Sequence, residues 1–261
     1  MRVTMLGSGG SAGVPMLGGR DGRGDWGQCD PREPRNRRTR SSIVIEGDDG
    51  RRLLVDTAPD LHAQLIGCGI GRIDALFYTH AHADHVAGLD EVRSLNRVLN
   101  RPIQAFGTEP VMAEIAGRFA YAFRPWSPPG FYRPVIEPVV VEAGSVIEAA
   151  GLRLELFTQR HGQGTTLGLR TGRFAYCTDV MFLDEAALEV LAGVDTWIVG
   201  CFQRAPHPAH AHLDLVLEWR RRIGARRTIL THIGVDLDWD WMQRHLPPDV
   251  EPGFDGCVIN T

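Results

Sequence analysis

The sequence predicts a mixed α/β fold with two sheets covered by helices, formed as one domain over residues 1–261. Short runs rich in β-branched and aromatic residues recur from end to end, bounded by turn residues. Segments with helical periodicity lie between them, and some strands pair as hairpins, such as the pair around Gly172. No internal repeat, low-complexity tract or long linker divides the chain.

The strand candidates are Arg2–Leu6, Ser42–Glu46, Arg52–Asp56, Asp74–Thr79, Leu152–Thr158, Thr166–Thr171, Arg173–Thr178, Thr196–Val199, Thr228–Thr231 and Cys257–Ile259. The helix candidates are Leu61–Ile66, Leu89–Leu99, Val111–Phe119, Leu183–Leu191 and Leu213–Ile223. Two stretches rich in proline and glycine or aromatic residues, Gly18–Arg40 and Tyr121–Pro138, are predicted to be long loops. Loops of this length are often lids or binding segments, although they can equally be attached to the core by their aromatic residues.

The composition excludes several functional classes. The chain has 28 Lys+Arg against 32 Asp+Glu and a formal net charge of -4, which disfavours a strongly basic nucleic-acid binder. It has no apolar run of about 18 residues, so we expect no membrane partner, and its N-terminus does not resemble a signal peptide. The five cysteines are scattered and form no CxxC pair, which indicates a reducing environment and a cytoplasmic protein.

Four side chains able to bind metal lie within six residues, where the strand ending at Thr79 turns into a helical segment. They are His80, His82, Asp84 and His85, in the pattern HxHxDH. In an extended segment His80 and His82 project to the same side, and Asp84 and His85 can point to a second position nearby. Imidazoles and a carboxylate suit zinc, manganese or iron. The pattern therefore predicts a metal site.

Three further candidate ligands stand at or after the ends of predicted strands. His161 follows the strand that begins at Leu152, Asp179 follows Arg173–Thr178, and His232 follows Thr228–Thr231. Each alone would more often be a capping or loop residue. Together with HxHxDH, their common position predicts that they converge on the same metal site.

With these residues the chain resembles the metallo-β-lactamase superfamily, and especially its cyclic-phosphate diesterases, typified by the phosphoribosyl cyclic phosphodiesterase of phosphonate breakdown. The resemblance runs nearly end to end. Besides HxHxDH and His161, it rests on Leu6-Gly7-Ser8-Gly9-Gly10-Ser11, Gly13-Val14-Pro15, Val55-Asp56-Thr57, Gly88-Leu89-Asp90, Thr178-Asp179, Pro208-Ala209-His210, Leu230-Thr231-His232 and Phe254-Asp255-Gly256.

The resemblance implies a four-layer αββα sandwich with two divalent metal ions, Zn²⁺ or Mn²⁺, at one edge of the sheets. It implies that one ion is held by His80, His82 and His161, the other by Asp84, His85 and His232, and that Asp179 bridges them. Two such ions about 3.5–4 Å apart share a water, lower its pKa and neutralise phosphoryl oxygens.

Other residues are expected to support this chemistry. The leaving alkoxide needs a proton, and His210 or His212 could provide it, with the resemblance favouring His210. The alternative for His212 is a role at the N-terminal cap of the helix that follows. Asp84 is counted among the catalytic residues as well as the ligands, and Asp56 is expected to orient a ligand imidazole by hydrogen bonding.

The chain departs from its relatives in the loop after Gly13-Val14-Pro15. Relatives often carry a cysteine-rich structural zinc site there, but this loop retains only Cys29, and Val235 stands where a histidine is expected. We therefore expect that zinc to be absent and the loop to be held otherwise, for example by Trp26. The arginines of the Arg32–Arg40 segment could hold a phosphate, although a charge run is usually a solvated face. The Gly7–Gly10 segment is expected to be a tight turn beside the metals.

The sequence thus favours a binuclear metal-dependent phosphodiesterase that acts on a small cyclic phosphate or nucleotide. We expect no stable nucleic-acid partner, and the sequence is compatible with a homodimer. A thioester, lactone or β-lactam hydrolase of the same fold remains an alternative. A tRNA 3′-processing nuclease is disfavoured because no long basic arm is visible. A non-catalytic nucleotide- or metal-binding module is disfavoured by the full set of candidate ligands.

Overall fold

Fourteen strands form two mixed sheets in the computed structural model, which describes residues 1–261. The strands are β1 (Arg2–Gly7), β2 (Ser42–Glu46), β3 (Arg52–Val55), β4 (Ala75–Phe77), β5 (Ile103–Gly107), β6 (Ile136–Val140), β7 (Val146–Ala149), β8 (Leu152–His161), β9 (Gly164–Thr171), β10 (Phe174–Cys177), β11 (Thr196–Gly200), β12 (Arg227–Thr231), β13 (Val250–Pro252) and β14 (Val258–Asn260).

The two sheets have matching topologies. Their strand orders are β14-β1-β2-β3-β4-β5-β6 and β13-β12-β11-β10-β9-β8-β7. In each sheet the first strands along the chain pair antiparallel, as in β1-β2-β3 and β7-β8-β9-β10, and the following strands pair parallel, as in β3-β4-β5-β6 and β10-β11-β12-β13. Parallel strands bring their carboxyl ends to one edge of a sheet, and this is where ligands bind in such sheets.

Seven α-helices cover the outer faces of the sheets. They are α1 (Leu61–Gly67), α2 (Ala83–Val86), α3 (Val92–Leu99), α4 (Glu109–Arg118), α5 (Glu185–Leu191), α6 (Leu213–Ile223) and α7 (Trp239–His245), with 3-10 turns at Pro34–Asn36, Leu89–Glu91 and Ala120–Phe123. None of these helices has the length and hydrophobicity needed to cross a membrane.

Three buried apolar clusters define four layers. The middle cluster joins the two sheets, since it contains Met5 and Phe77 from one and Leu156 and Ile229 from the other. A second cluster packs α1, α3 and α4 on the first sheet, and a third packs α5, α6 and α7 on the second sheet. Burial of these apolar faces is the main favourable contribution to folding. The predicted αββα sandwich is confirmed.

Several elements were not predicted from the sequence. Strands β5, β6, β7 and β13 and helix α7 were missed, and most of them are short or lie at a sheet edge, where alternation of apolar and polar residues is weak. The predicted loop Tyr121–Pro138 ends earlier, because β6 begins at Ile136. The predicted helix Leu89–Leu99 starts as a 3-10 turn and ends where Asn100 adopts φ 52°.

The long loop Gly18–Arg40 is fastened by a buried arginine. Arg38 is only 1% exposed, and its guanidinium donates to the carbonyl oxygens of Gly234 (3.1 Å) and Leu237 (2.8 Å) and to Asn36 Oδ1 (2.9 Å). The expectation that Trp26 holds the loop is wrong, because Trp26 is only half-buried and lies under the Arg37 guanidinium at 5.0 Å. Arg38 therefore fixes the loop against the segment that follows His232.

Arg38→Met should destabilise the protein strongly. The change removes the guanidinium donor from the carbonyl oxygens of Gly234 and Leu237, and from Asn36 Oδ1, which keeps its bond from the Trp239 N–H. One lost donor to a buried acceptor costs about 1–3 kcal/mol, so we expect a free energy of unfolding lower by about 3 kcal/mol or more. That corresponds to a melting temperature about 6–12 °C lower in a chain of this size. Thermal unfolding followed by circular dichroism measures the change. The neighbouring exposed Arg37→Met is the matched control, and equal effects of the two substitutions would contradict this role of Arg38.

Candidate metal centre

Polar side chains at the carboxyl ends of strands from both sheets converge at one edge of the sandwich. Asp56 follows β3, Asp179 lies two residues after β10, and His232 follows β12. All three have positive φ angles, of 64°, 48° and 54°, which are uncommon for residues other than glycine. Backbone held in this region costs free energy and concentrates at functional sites, which fits the convergence of these side chains.

The HxHxDH segment occupies the turn between β4 and α2. His80 and His82 lie in the extended part, and Asp84 and His85 lie in the first turn of α2. His85 is fully buried and His80 nearly so, whereas His82 is exposed. The close approach of this segment to the loop after β3 requires a glycine at position 88, since a Cβ there would be 2.0 Å from the Ala58 carbonyl oxygen.

Asp179 stands at the centre of the candidate ligands. Its Oδ1 is 3.0 Å from His232 Nδ1 and 3.1 Å from His85 Nε2. Its Oδ2 is 3.4 Å from His161 Nε2 and 3.7 Å from His80 Nε2. Each carboxylate oxygen thus faces a different pair of imidazoles.

The ligand atoms form two groups that share Asp179. In each group all atoms lie within 4.8 Å of one another, and the groups are His80, His82, His161 and Asp179, and Asp84, His85, Asp179 and His232. Five buried atoms of the cluster make no hydrogen bond: the Nε2 atoms of His80 and His85, both ring nitrogens of His232, and Asp84 Oδ2. Buried polar atoms without partners are costly, and a donor set of imidazoles and carboxylates suits zinc, manganese or iron. The residues therefore fit divalent cations.

The charges of the cluster are strongly coupled. Burial alone would raise the pKa of Asp179, but the imidazoles of His232 and His85 hold it well below its usual range. Burial would lower the pKa of His85, but Asp179 and Asp56 raise it well above its usual value. Burial and the neighbouring His85 lower the pKa of His80. Imidazoles bind a metal ion only in their neutral form, so metal affinity at this cluster should fall as the pH falls.

Hydrogen bonds behind the cluster fix the orientation of several rings. His85 Nδ1 donates to Asp56 Oδ2 at 2.7 Å, and the Thr79 hydroxyl donates to the same oxygen at 2.8 Å. Because that hydroxyl hydrogen is used, His80 Nδ1 donates to Thr79 Oγ1 at 3.0 Å. His161 Nδ1 donates to the Ala209 carbonyl at 2.7 Å. Each of these bonds leaves the Nε2 lone pair directed at the cluster. Asp56 therefore supports one histidine of each group, directly or through Thr79.

Asp56→Asn should weaken metal binding by about 10–100-fold, as the loss of such a supporting hydrogen bond typically does. Asparagine tolerates the left-handed backbone at this position, so the substitution tests the carboxylate rather than the fold. Competition with a chromophoric chelator measures the affinity. Asp74→Asn is the control, because Asp74 is buried beside the same sheet but pairs with Arg72 away from the cluster. Unchanged affinity in Asp56→Asn would contradict the role of Asp56.

A stack of rings continues from the cluster into the loop after β11. The His210 ring lies 4.8 Å from His232 and 4.9 Å from Phe202, and His210 Nδ1 is 4.0 Å from Asp179 Oδ2. His207 lies 5.1 Å from His210. Burial and the neighbouring His232 lower the pKa of His210 to about 3, so its imidazole is neutral near pH 7.

The second candidate acid, His212, lies outside this cluster. It is the N-cap residue of α6 without a side-chain cap hydrogen bond, and it belongs to neither ligand group. Phe202 and His207 were not identified from the sequence as parts of the site. Phe202 follows β11 as the ligands follow their strands, so the same reasoning about strand ends could have found it.

Two segments that the sequence suggested as neighbours of the metal site, Gly7–Gly10 and Arg32–Arg40, differ in whether they reach it. The Gly7–Gly10 turn lies beside it, where a Cβ on Gly10 would be 2.8 Å from Phe202 and 3.5 Å from His232. The arginines of Arg32–Arg40 do not join it. Arg38 is buried in the loop, and the ion pairs of the others are Arg32–Asp30, Arg35–Glu33 and Arg40–Asp60. In the aromatic loop, Trp126 stacks on Phe131 at 4.4 Å.

Comparison with known proteins finds the same architecture. Residues 51–233 match the family described as the beta-lactamase superfamily domain. The crystal structure of a diphosphatase from the PhnP family superposes with a TM-score of 0.87 at 31% identity, covering 100% of this chain and 97% of that one.

Two curated proteins are also similar. An octanoyltransferase of Porphyromonas gingivalis is 31% identical over 260 residues, which are 98% of this chain and 51% of that protein. The chain thus spans about half the length of that relative. The anti-Pycsar protein Apyc1 of Paenibacillus harenae is 28% identical over 200 residues, covering 73% of this chain and 81% of the relative.

Proposed function

Because the chain belongs to the metallo-β-lactamase superfamily, in its PhnP-like branch, we propose that it is a metal-dependent hydrolase that cleaves a small cyclic phosphodiester. The cofactors in this proposal are two divalent ions, Zn²⁺ or Mn²⁺. The observation that carries the proposal is the position of Asp179, whose two oxygens face two separate ligand groups.

Metal ions in such a pair would supply a hydroxide nucleophile near neutral pH and stabilise the charge that develops on phosphoryl oxygens. His80, His82, His161 and Asp179 would hold one ion, and Asp84, His85, His232 and Asp179 the other. The chain itself contributes the fixed orientation of these ligands through Asp56, Thr79 and the Ala209 carbonyl. Preorganised groups of this kind need little rearrangement during the reaction.

His210 supports the proposal from the open side of the cluster. A neutral imidazole keeps one N–H, and this group can donate to an oxygen of the phosphoryl group or of the leaving alkoxide. An anionic substrate beside the ring raises its pKa, so the ring can take up a second proton from solvent, and the resulting imidazolium can give that proton to the leaving alkoxide and return to the neutral form. We therefore assign proton donation to His210 rather than to His212.

The relatives and the size of the site favour a small phosphate ester. A diphosphatase at 31% identity shares almost the whole fold, and the cavity beside the cluster has a volume of about 490 Å³, which suits a small molecule. The acidic net charge of -4 gives no reason to expect a stable nucleic-acid partner. All five cysteines are unpaired, which supports a reducing compartment such as the cytoplasm.

Thioester hydrolysis is the second candidate, because the octanoyltransferase relative matches 98% of this chain. The hydroxide that such ions would supply suits acyl carbons as well as phosphorus, so the ligand set alone does not choose between the two bonds. The two leaving groups, however, differ in whether they must be protonated as they leave. A thiolate leaves without a proton near neutral pH, whereas an alkoxide benefits from the donor that His210 offers.

The experiment is metal analysis of the purified protein combined with a substrate panel. The panel contains bis(p-nitrophenyl) phosphate, cyclic nucleotides, cyclic sugar phosphates and an octanoyl thioester. We expect metal-dependent turnover of phosphodiesters, with a small cyclic phosphate preferred. Ready cleavage of the thioester and of no phosphodiester would overturn the proposal in favour of the second candidate.

A further inference from the structure

His232 differs from the other buried candidate ligands in what holds its ring. The rings of His80, His85 and His161 are each fixed by a hydrogen bond from Nδ1. Neither ring nitrogen of His232 makes a hydrogen bond, although its Nδ1 lies 3.0 Å from Asp179 Oδ1. The direction of this ring therefore depends on its backbone, which has a φ of 54°. A side chain in this region of φ costs free energy, so neighbouring segments must hold it there.

Two hydrogen bonds hold the backbone after His232 against the Gly7–Gly10 turn. The Ile233 N–H donates to the Ser8 carbonyl oxygen at 2.8 Å, and the Gly10 N–H donates to the Ile233 carbonyl oxygen at 3.3 Å. The turn also lies against the imidazole, because a Cβ on Gly10 would be 3.5 Å from His232 Cδ2. The position of Ser8 therefore influences the direction in which the chain leaves β12, and with it the direction of the His232 ring.

The carboxylate of Asp255 holds this turn in place. Its Oδ1 accepts from the Ser8 N–H at 2.9 Å and from the Ser8 hydroxyl at 2.8 Å. Its Oδ2 accepts from the Thr39 N–H at 2.7 Å and from the Thr39 hydroxyl at 2.6 Å. The Thr39 carbonyl oxygen in turn accepts from the Gly9 N–H at 2.8 Å. Hydrogen bonds to a charged acceptor are stronger than those between neutral groups, so one carboxylate joins two distant segments firmly.

The segment that carries Asp255 is itself attached to the strand that leads to His232. The Gly253 N–H donates to the Leu230 carbonyl oxygen at 2.9 Å. Position 253 requires a glycine, because a Cβ there would lie 2.4 Å from that same oxygen. The segment around Asp255 therefore contacts the chain on both sides of His232, through Leu230 before it and through Ser8 after it.

We propose that Asp255 is a positioning residue for the metal centre, which holds the Ser8 turn so that His232 keeps its left-handed backbone and faces Asp179. His232 belongs to only one of the two ligand groups, and Asp255 belongs to neither. Asp255 should therefore act on one metal position and not on the other. This inference rests on the metal centre of the proposed function but not on the kind of bond that is cleaved.

The test compares the wild-type protein with Asp255→Asn, in which one acceptor oxygen becomes an NH₂ group that faces donors of Ser8 or Thr39. Competition with a chromophoric chelator measures the affinities for two Zn²⁺ ions. We expect one ion to bind about tenfold or more weakly and the other to change by less than about threefold. In the metal-free variant, amide exchange followed by NMR should be about tenfold or more faster at Ile233, because its acceptor on Ser8 is held less firmly.

Asp74→Asn is the matched control. Asp74 is a buried carboxylate that also accepts from a backbone N–H, that of Arg52 at 3.0 Å, but it precedes β4 and lies away from the cluster. Both Zn²⁺ affinities and the Ile233 exchange rate should stay at their wild-type values. Ser8→Ala is a milder second variant, which loses the hydroxyl donor but keeps the backbone N–H, and it should weaken the same ion about threefold. Melting temperatures check that each variant is folded, and Ser8→Ala decides the question if Asp255→Asn does not fold.

The outcomes separate this inference from the proposed function. Equal weakening of both ions in Asp255→Asn, or exchange of the Ile233 amide at the wild-type rate, would overturn the role of Asp255 and leave phosphodiester turnover by the wild type untouched. If the wild type bound two ions but cleaved no phosphodiester, the proposed function would fail, whereas a selective loss of one ion in Asp255→Asn would still support its positioning role.

Discussion

Asp179→Asn should abolish tight binding of at least one metal ion and lower kcat/KM by about 10³-fold or more. Each carboxylate oxygen of Asp179 faces one ligand group, and asparagine replaces one of them by an NH₂ group that donates rather than accepts. Metal ions contribute several kcal/mol to the stabilisation of the transition state, and a change of about 1.4 kcal/mol corresponds to a factor of ten in rate.

Mass spectrometry of the metals in the purified variant and steady-state kinetics measure these two effects. Asp195→Asn is the control, since Asp195 pairs with Arg173 at the opposite end of the strands. A variant that kept the wild-type metal content and the wild-type kcat would show that Asp179 is not shared between ions.

His210→Ala should lower kcat by about 10²–10⁴-fold, the usual contribution of a positioned proton donor, while the metal content stays unchanged. The His210 ring packs between His232 and Phe202 beside Asp179 but belongs to neither ligand group. Its loss should therefore affect the reaction and not the binding of metal. The effect should be larger for substrates with a poor leaving group than for p-nitrophenyl esters, because p-nitrophenolate leaves without a proton.

His212→Ala provides the comparison within the same loop. His212 begins α6 as its N-cap residue but makes no side-chain cap hydrogen bond, so its removal should change kcat less than threefold. A large loss in His212→Ala with none in His210→Ala would reverse the assignment of the donor.

The sequence carried most of the information needed to find the centre. HxHxDH is a dense local pattern, and the logic that parallel strands share their carboxyl ends predicted that His161, Asp179 and His232 would approach it. The structure brings all of these side chains into two groups around Asp179. Asp56 is expected to orient a ligand imidazole by hydrogen bonding, and its Oδ2 accepts from His85 Nδ1 at 2.7 Å.

Other features depend on tertiary contacts that leave no local pattern. Arg38 belongs to a run of arginines that looks solvated, yet it is buried because two carbonyl oxygens from the distant segment after His232, together with the nearby Asn36, accept hydrogen bonds from it. Helix α7 and strand β13 are short, and their place is decided by packing against β12 and its neighbours rather than by their own periodicity.

The central claim is that Asp179 joins two metal ions in a site that hydrolyses phosphodiesters. Its most direct test is to titrate metal-free protein with Zn²⁺ or Mn²⁺ while following both bound metal and the turnover of bis(p-nitrophenyl) phosphate. We expect two equivalents to bind per chain and full activity to require the second, with Asp179→Asn unable to reach either. Full activity with one equivalent or none, or two bound equivalents without any phosphodiester turnover, would show that the site is not a binuclear phosphodiesterase centre joined by Asp179.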